Sequence, residues 1–239
     1  MHNTTMPRFD DLVTINTNRE RIYAFLSKVY EVELTRELID KMRSGDVPPL
    51  DPKSLDGLTD SDVQEGFALL SRGIAAMKGK KLDDVWTDLA SDFAGTFLGV
   101  KYDILPHPSE SAYSSGDHLV YQKSRNDVLS YYREAGLDKI STFTEPEDHV
   151  AIELIFMSLL ARQTADALNS ENIEESKRLI ELQKRFLKEH LTKWVPRLCD
   201  DILKAARLDF YKGVARMTKG FVSADVSLLD EMTERIGKA

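Results

Sequence analysis

The most apolar stretch of this 239-residue chain, residues 150–161, follows directly on a polar hexamer, residues 144–149. Apolar residues on nearly every side of a helix are typical of one buried inside a protein. The hexamer has the form of a helix start, because Thr144 with Glu147 matches a capping box and Pro146 suits a first turn. The pattern predicts a buried helix that opens near Thr144, with carboxylates and one imidazole at its mouth.

Capping does not explain His149, which ends the hexamer. An imidazole is neither a preferred cap nor favoured at the positive end of a helix dipole. Its neighbour at i,i+4 is Glu153, a carboxylate otherwise surrounded by apolar residues. Spacing alone leaves two interpretations open, a structural helix start and a functional site.

Apolar residues at spacings of three and four predict further helices along most of the chain. No segment alternates strictly enough to predict a strand. These patterns favour an all-α fold, a single compact domain of about ten helices. Apart from the central helix, the predicted helices cover residues 16–29, 35–42, 59–81, 85–97, 120–135 and 170–191, with later ones starting at Pro196, near Phe210 and at Ser223.

Residues 104–117 are rich in Pro, Ser and Gly and predict an irregular loop. Long loops inside compact domains are often functional or mobile. We therefore expect a hinge near residues 104–117 between an N-terminal lobe, residues 16–103, and a C-terminal lobe, residues 118–236.

Composition excludes several classes of partner and site. A net charge of -8 opposes nonspecific binding to nucleic acid or to an anionic membrane. The single cysteine, Cys199, excludes an internal disulfide and a multi-thiolate zinc site. The longest apolar run, residues 154–161, is far shorter than the roughly 20 residues of a membrane span. With no apolar leader in the first residues, the sequence predicts a cytoplasmic protein.

Motifs for covalent chemistry are absent from the sequence, which has neither a G-x-S-x-G elbow nor an H-E-x-x-H zinc motif. The five histidines are scattered, so we predict no catalytic residue, no metal and no cofactor. His190 and Trp194 share a helix face at i,i+4, and the simplest interpretation is a packed helix end with the imidazole bonded to a carbonyl.

An ordered series of motifs runs from Asp92 to Tyr211 and resembles the TorD/DmsD/NarJ family of chaperones that mature molybdenum-dependent redox enzymes. The segment Glu145-Pro146-x-Asp148-His149 is similar to that family's E-x-P-D-H signature. The other matching segments are Asp92-Phe93 with Phe97 and Gly99, Pro108 to Tyr113, Phe186-Leu187 with His190-Leu191 and Trp194-Val195-Pro196, and Phe210-Tyr211.

The resemblance implies a cytoplasmic chaperone that performs no covalent chemistry. Its partner would be the catalytic subunit of a molybdopterin oxidoreductase, held through its twin-arginine signal peptide and apoprotein during cofactor insertion before export. A monomer and a swapped homodimer both stay open.

We expect Glu145, Asp148 and Glu153 to present carboxylates at the rim of an apolar cleft, with His149 and Tyr113 offering hydrogen bonds. Adjacent arginines followed by apolar residues would fit, because guanidinium pairs with carboxylate in a bidentate manner. The full set of predicted peptide-binding residues is Glu145, Pro146, Asp148, His149, Glu153, Tyr113, Pro108 and Ser111. The alternative is a helical metal- or nucleotide-dependent hydrolase that uses Asp148 and His149.

Overall fold

The computed structural model describes residues 9–47, 59–98, 106–114, 123–137 and 145–238. Helices dominate these ranges, and the only β-type pairing in them is an isolated bridge. The predicted all-α fold is confirmed. The helices are α1 Asp10–Glu31, α2 Arg36–Ser44, α3 Ser61–Ala75, α4 Leu82–Phe97, α5 Glu110–Ser114, α6 Lys123–Glu134, α7 Val150–Asn169, α8 Ile173–Phe186, the π turn Leu187–Leu191, α9 Thr192–Ala205 and α10 Asp209–Gly237.

The ends of α2 show how local sequence sets a boundary. The Thr35 side chain accepts a hydrogen bond from the Leu38 N–H, and Gly45 adopts the left-handed conformation with a φ of 83°. Hydroxyl caps and glycine stops of this kind satisfy backbone groups that a helix end leaves open. Both predicted ends of this helix are confirmed.

The stretch from α8 to α9 differs from its prediction. A break was expected before Pro196, yet the π turn Leu187–Leu191 carries α8 directly into α9, and Pro196 lies inside α9. The wider π turn upstream lets the chain continue without that break, and such turns often occur at functional sites. The predicted new helix at Ser223 is also wrong, because α10 continues through it to Gly237.

Helix α7 is largely buried, with α1 and α8 packed against it. Two serine hydroxyls join α7 to α1. Ser27 donates to the Ala151 carbonyl at 2.7 Å, and Ser158 donates to the Glu20 carbonyl at 2.9 Å. These bonds lie along a shared apolar core and fix the N-terminal half of α7, where the predicted site begins.

Helices α3 and α10 approach closely through glycines on both sides. A Cβ added at Gly66 would lie 2.4 Å from the Met217 nitrogen, and one at Gly213 would lie 2.5 Å from the Leu70 nitrogen. Real Cβ atoms do not come this close to a backbone, so only glycine fits. The two helices therefore pack backbone to backbone, as small residues at a helix interface allow.

One hydrophobic core contains residues of both predicted lobes. The pairing of α1 with α7, and of α3 with α10, joins elements from before and after residues 104–117. The chain forms a single all-α domain, and the division into lobes with a hinge stays a prediction. Among the described helices, not one is both long and apolar enough to cross a bilayer.

Candidate functional site

The central helix begins later than predicted. It starts at Val150, and His149 is its N-cap, with Nδ1 accepting from the Ala151 N–H at 3.1 Å. The predicted start near Thr144 is therefore wrong for α7. Thr144 itself lies outside the described residues. His149, considered a poor cap, performs this role because an unprotonated ring nitrogen can accept a backbone hydrogen bond as a carboxylate does.

A short segment, residues 106–114, lies across the start of α7. Ser109 and His149 form an antiparallel bridge. The Val150 N–H donates to the Pro108 carbonyl at 2.7 Å, and the Glu110 N–H donates to the Asp148 carbonyl at 2.9 Å. Backbone bonds therefore fasten this segment, which we call the crossing segment, onto the N-terminus of α7.

The Asp148 side chain strengthens the same attachment from inside. Its Oδ2 accepts from the Ser111 N–H at 2.8 Å, from the Ser111 hydroxyl, and from the Ser124 hydroxyl at 3.3 Å. The carboxylate is fully buried, with 0% of its surface exposed. Asp148 thus connects the start of α7 to the crossing segment and to α6, and its visible role is to hold these elements together.

A second buried group lies one helical turn further along α7. Glu153, also 0% exposed, accepts from the indole N–H of Trp194 on α9 at 3.0 Å. Glu110 of the crossing segment lies 2.8 Å from Nδ1 of His190, measured from its Oε2. His190 belongs to the π turn and stacks on Phe186 with ring centroids 5.0 Å apart. The π turn therefore brings an imidazole to a carboxylate that comes from a distant part of the chain.

The ionisable side chains of this buried cluster are mainly carboxyls. Burial raises the pKa of Glu153 well above its usual range, and the neighbouring carboxyls of Glu110 and Asp148 raise it further. The Trp194 hydrogen bond opposes this rise by stabilising the ionised form. Burial and the neighbouring carboxyls therefore both favour the protonated form of Glu153.

Three of the predicted residues reach the surface. Glu145 is exposed, while Pro108 and Tyr113 are half-buried. The hydroxyl of Tyr113 donates to Asp201 at 3.2 Å, and the guanidinium of Arg197 lies over its ring at 5.6 Å. The exposed rim of the site is therefore composed of one carboxylate and a partly covered aromatic ring.

The remaining predicted residues are buried, which corrects the expected geometry. Asp148 and Glu153 do not stand at the rim of a cleft, because their oxygens face protein donors and neighbouring carboxyls. His149, Ser111 and Pro146 are buried with them. The structure does bring all eight residues to one place, around the start of α7 and the crossing segment.

An open cavity exists elsewhere in the described part of the chain. It has a volume of about 230 Å³ and lies where the end of α3 meets α4 and the start of α10. Leu89, Met77 and Phe210 contribute to its apolar lining, with Arg72 and Arg207 among its charged residues. The lining shares no residue with the predicted site.

Sequence reasoning missed three members of the buried cluster, Glu110, His190 and Trp194. His190 and Trp194 were interpreted as a packed helix end with the imidazole bonded to a carbonyl. The partner predicted for the imidazole is wrong, since Nδ1 of His190 faces the Glu110 carboxylate, and the indole of Trp194 also bonds to a carboxylate. Their i,i+4 spacing was the available signal, but the partners are 80 and 41 residues away along the chain.

The geometry gives the hydrolase alternative no support. Within the described ranges, no three His, Cys, Asp or Glu side chains are grouped so as to hold a metal ion. The Nδ1 of His149 is occupied by the Ala151 N–H, and one oxygen of the Asp148 carboxylate, Oδ2, by two serines. Neither group is placed to act on a substrate in this conformation.

Comparison with known proteins gives a consistent result. Residues 58–200 match the family described as nitrate reductase delta subunit. The chain is 28% identical to the chaperone protein TorD of Aliivibrio fischeri, over 92% of this chain and 98% of the relative. It is 27% identical to TorD of Photobacterium profundum and 26% identical to TorD of a Psychrobacter species, each over 92% of this chain and 97% and 95% of those relatives. The chain therefore belongs to the TorD/DmsD/NarJ family of redox-enzyme maturation chaperones, as its motif series predicts.

Proposed function

We propose that this protein is a cytoplasmic chaperone that binds the twin-arginine signal peptide and apoprotein of a molybdenum-dependent oxidoreductase and assists cofactor insertion before export. The observation that carries the proposal is the alignment with chaperones named TorD along nearly the whole length of both chains. The partner is the catalytic subunit of that oxidoreductase, and the protein itself performs no covalent step.

Electrostatics supports a basic partner. The chain carries a net charge of -8, which would steer a cationic leader towards it. At the mouth of α7, Glu145 is exposed and can pair with a guanidinium. His107 lies near Glu145. Partial burial lowers the pKa of His107, although the charges of Glu145 and Asp148 act to raise it, so the imidazole adds little positive charge near neutral pH.

The predicted residues divide into two roles under this proposal. Glu145, Pro108 and Tyr113 contact the leader, because they reach the surface. The buried residues position this surface, because they fasten the crossing segment onto α7; they are Asp148, Ser111, Pro146, His149 and Glu153. This division replaces the expected row of exposed carboxylates with one exposed carboxylate on a rigid support.

Calorimetric titration with a leader peptide tests the proposal. The peptide carries two adjacent arginines followed by an apolar stretch, and a second peptide has both arginines replaced by alanine. We expect the arginine peptide to bind and the alanine peptide to bind at least about tenfold more weakly, since two charge-assisted contacts are lost. Equal binding of both peptides would contradict a twin-arginine site.

Glu145→Gln locates the contact. We expect binding of the arginine peptide to weaken about three- to tenfold, as for one partly exposed ion pair. The matched control is Glu174→Gln, in the first turn of α8, where the carboxylate side chain is 89% exposed. If both variants bind the peptide as the wild type does, Glu145 is not the contact.

A further inference from the structure

Two carboxyl groups meet inside the site, and the family assignment does not explain their contact. Glu110 comes from the crossing segment and Glu153 from α7, and their exposed fractions are 5% and 0%. Burial raises the pKa of Glu153 most, and Glu110 raises it as well, through its charge and a side-chain hydrogen bond between the two carboxyls. Two ionised carboxylates in contact repel each other, because neither can donate a hydrogen bond.

Counting hydrogen bonds shows where a proton is needed. One oxygen of Glu153, Oε2, accepts from Trp194 at 3.0 Å. Its other oxygen, Oε1, is buried and, among the described residues, has no donor in bonding geometry. On the Glu110 side, Oε2 faces Nδ1 of His190 at 2.8 Å. A proton on Glu153 Oε1 satisfies this orphaned oxygen by making it a donor to Glu110.

The groups packed around the pair come from four elements. Asp148 precedes α7 and adds a further carboxylate. Tyr132 of α6 is also near, since burial and then the charge of Glu153 raise the pKa of the Tyr132 hydroxyl. Trp194 of α9 faces Glu153, and His190 of the π turn faces Glu110. If Glu153 lost its proton, two buried negative charges would face each other with one imidazole beside them.

We propose that Glu110 and Glu153 share one buried proton, and that this proton acts as a clasp that keeps the crossing segment on α7. Loss of the proton releases residues 106–114 by repulsion between the two carboxylates. Asp148 and Glu153 would then be uncovered at the mouth of α7. The proposal is independent of the leader peptide, because it concerns the protein alone.

The direction of the pH effect follows from linkage. In the closed form the pKa of Glu153 is raised, whereas an uncovered Glu153 would ionise in the ordinary carboxyl range. The opening equilibrium therefore grows with pH, by up to about tenfold per pH unit, from the ordinary range to the raised pKa. Above that pKa it becomes constant.

Hydrogen exchange of the unliganded protein between about pH 5 and about pH 9, corrected for intrinsic exchange rates, tests the clasp. The probes are the amides of Glu110 and Ser111, which donate to Asp148 in the closed form. We expect their protection in the wild type to fall by about tenfold or more across this range. Protection that does not change with pH would overturn the proposal.

Glu153→Gln supplies the decisive variant. A glutamine can accept from Trp194 with its oxygen and donate to Glu110 with its amide, as the protonated acid does. We expect protection of Glu110 and Ser111 in this variant to be high and independent of pH, while Glu181→Gln, at an exposed position of α8, behaves as the wild type. If protection in Glu153→Gln instead falls with rising pH as it does in the wild type, the proton is not shared between Glu110 and Glu153, and the proposal is wrong.

Infrared spectroscopy keeps the proposal testable should Glu153→Gln fold poorly. The folded wild type near neutral pH should show the carbonyl stretch of a protonated carboxyl group, which disappears as pH rises together with protection of the crossing segment. Absence of that band in the folded wild type would mean that both carboxylates are ionised and that no clasp exists. Peptide titration is not needed for either readout, so failure of the clasp and failure of leader binding are distinguishable.

Discussion

In the part of the chain that the structure describes, the buried charges around Arg19 and those at the start of α7 are arranged in opposite ways. The first cluster joins α1, α8 and α10 around Arg19, which is 1% exposed. Its guanidinium makes two bonds to Asp225, at 2.6 and 2.8 Å, and one each to Asn16 and Gln183 at 2.7 Å. Tyr23 also donates to Asp225 at 2.7 Å. Opposite charges balance, and each member has a partner.

The second cluster, at the start of α7, contains Asp148, Glu110 and Glu153 with His190 as its basic member. One oxygen of Asp148 and one of Glu153 have no donor among the described residues. Buried polar groups are normally paired, and exceptions concentrate at functional sites. The balanced cluster holds three helices together at any ordinary pH. The acidic cluster holds the crossing segment, and its hold depends on whether a carboxyl is protonated.

The first prediction breaks the balanced cluster and has the largest expected effect. Asp225→Ala leaves Arg19 charged and without its ion-pair partner inside the core, because a guanidinium keeps its proton in a protein. Removing one partner of a buried ion pair costs about 3–5 kcal/mol. Urea unfolding should report this loss in the free energy of unfolding.

Asp230→Ala is the matched control for Asp225→Ala. Asp230 lies five residues further along α10 and pairs with Lys184 at 2.6 Å, but its side chain is 58% exposed. An exposed pair contributes about 0–1 kcal/mol. If both variants lose the same small amount, the Arg19 cluster does not stabilise the helix junction as described.

The second prediction removes the hydrogen bonds that Asp148 accepts in the acidic cluster. Asp148→Ala removes the acceptor for the Ser111 N–H and for the hydroxyls of Ser111 and Ser124. Leaving a buried donor unsatisfied costs about 1–3 kcal/mol, less than an unpaired buried charge. We expect hydrogen exchange to increase in residues 106–114 first, with α10 remaining protected. Equal loss of protection throughout the chain would mean that Asp148 supports the whole fold instead of the crossing segment.

Sequence alone was sufficient for most of the fold, because helix signals are local. The apolar spacing around Ile22 and Val29 and the Thr35 and Gly45 ends of α2 depend only on neighbours within one or two turns. The π turn escaped prediction for the opposite reason. Its extra residue is accommodated by packing of His190 and Leu187 against other helices, which no local pattern encodes.

The predicted residues lie close together, as expected, but most of them are buried, and their role as a binding site stays a prediction. The motif residues Asp148 and His149 identified the correct end of α7, and the family resemblance identified the segment around Ser111. Burial could not be predicted, because it depends on a crossing segment whose Glu110 meets His190 from 80 residues away. The sequence suggested a row of accessible carboxylates, whereas tertiary packing covers two of them and leaves Glu145 exposed.

The last prediction compares the two clusters by their response to pH. Glu153 has a raised pKa when folded and an ordinary one when unfolded, so folding takes up a proton and the free energy of unfolding falls as pH rises between these two values. The slope is at most about 1.4 kcal/mol per pH unit for one proton. Glu153→Gln should remove this slope, and its stability should exceed that of the wild type increasingly towards about pH 9.

The Arg19 cluster provides the reference for that measurement. Arg19 stays charged at each pH in this range, because burial lowers the pKa of its guanidinium but the Asp225 carboxylate raises it above its already high ordinary value. Asp225→Ala should therefore lower the free energy of unfolding by the same amount from about pH 6 to about pH 9, parallel to the wild type. If Glu153→Gln also runs parallel to the wild type, Glu153 is ionised in the folded protein, and the acidic cluster is a permanent structural feature like the balanced one.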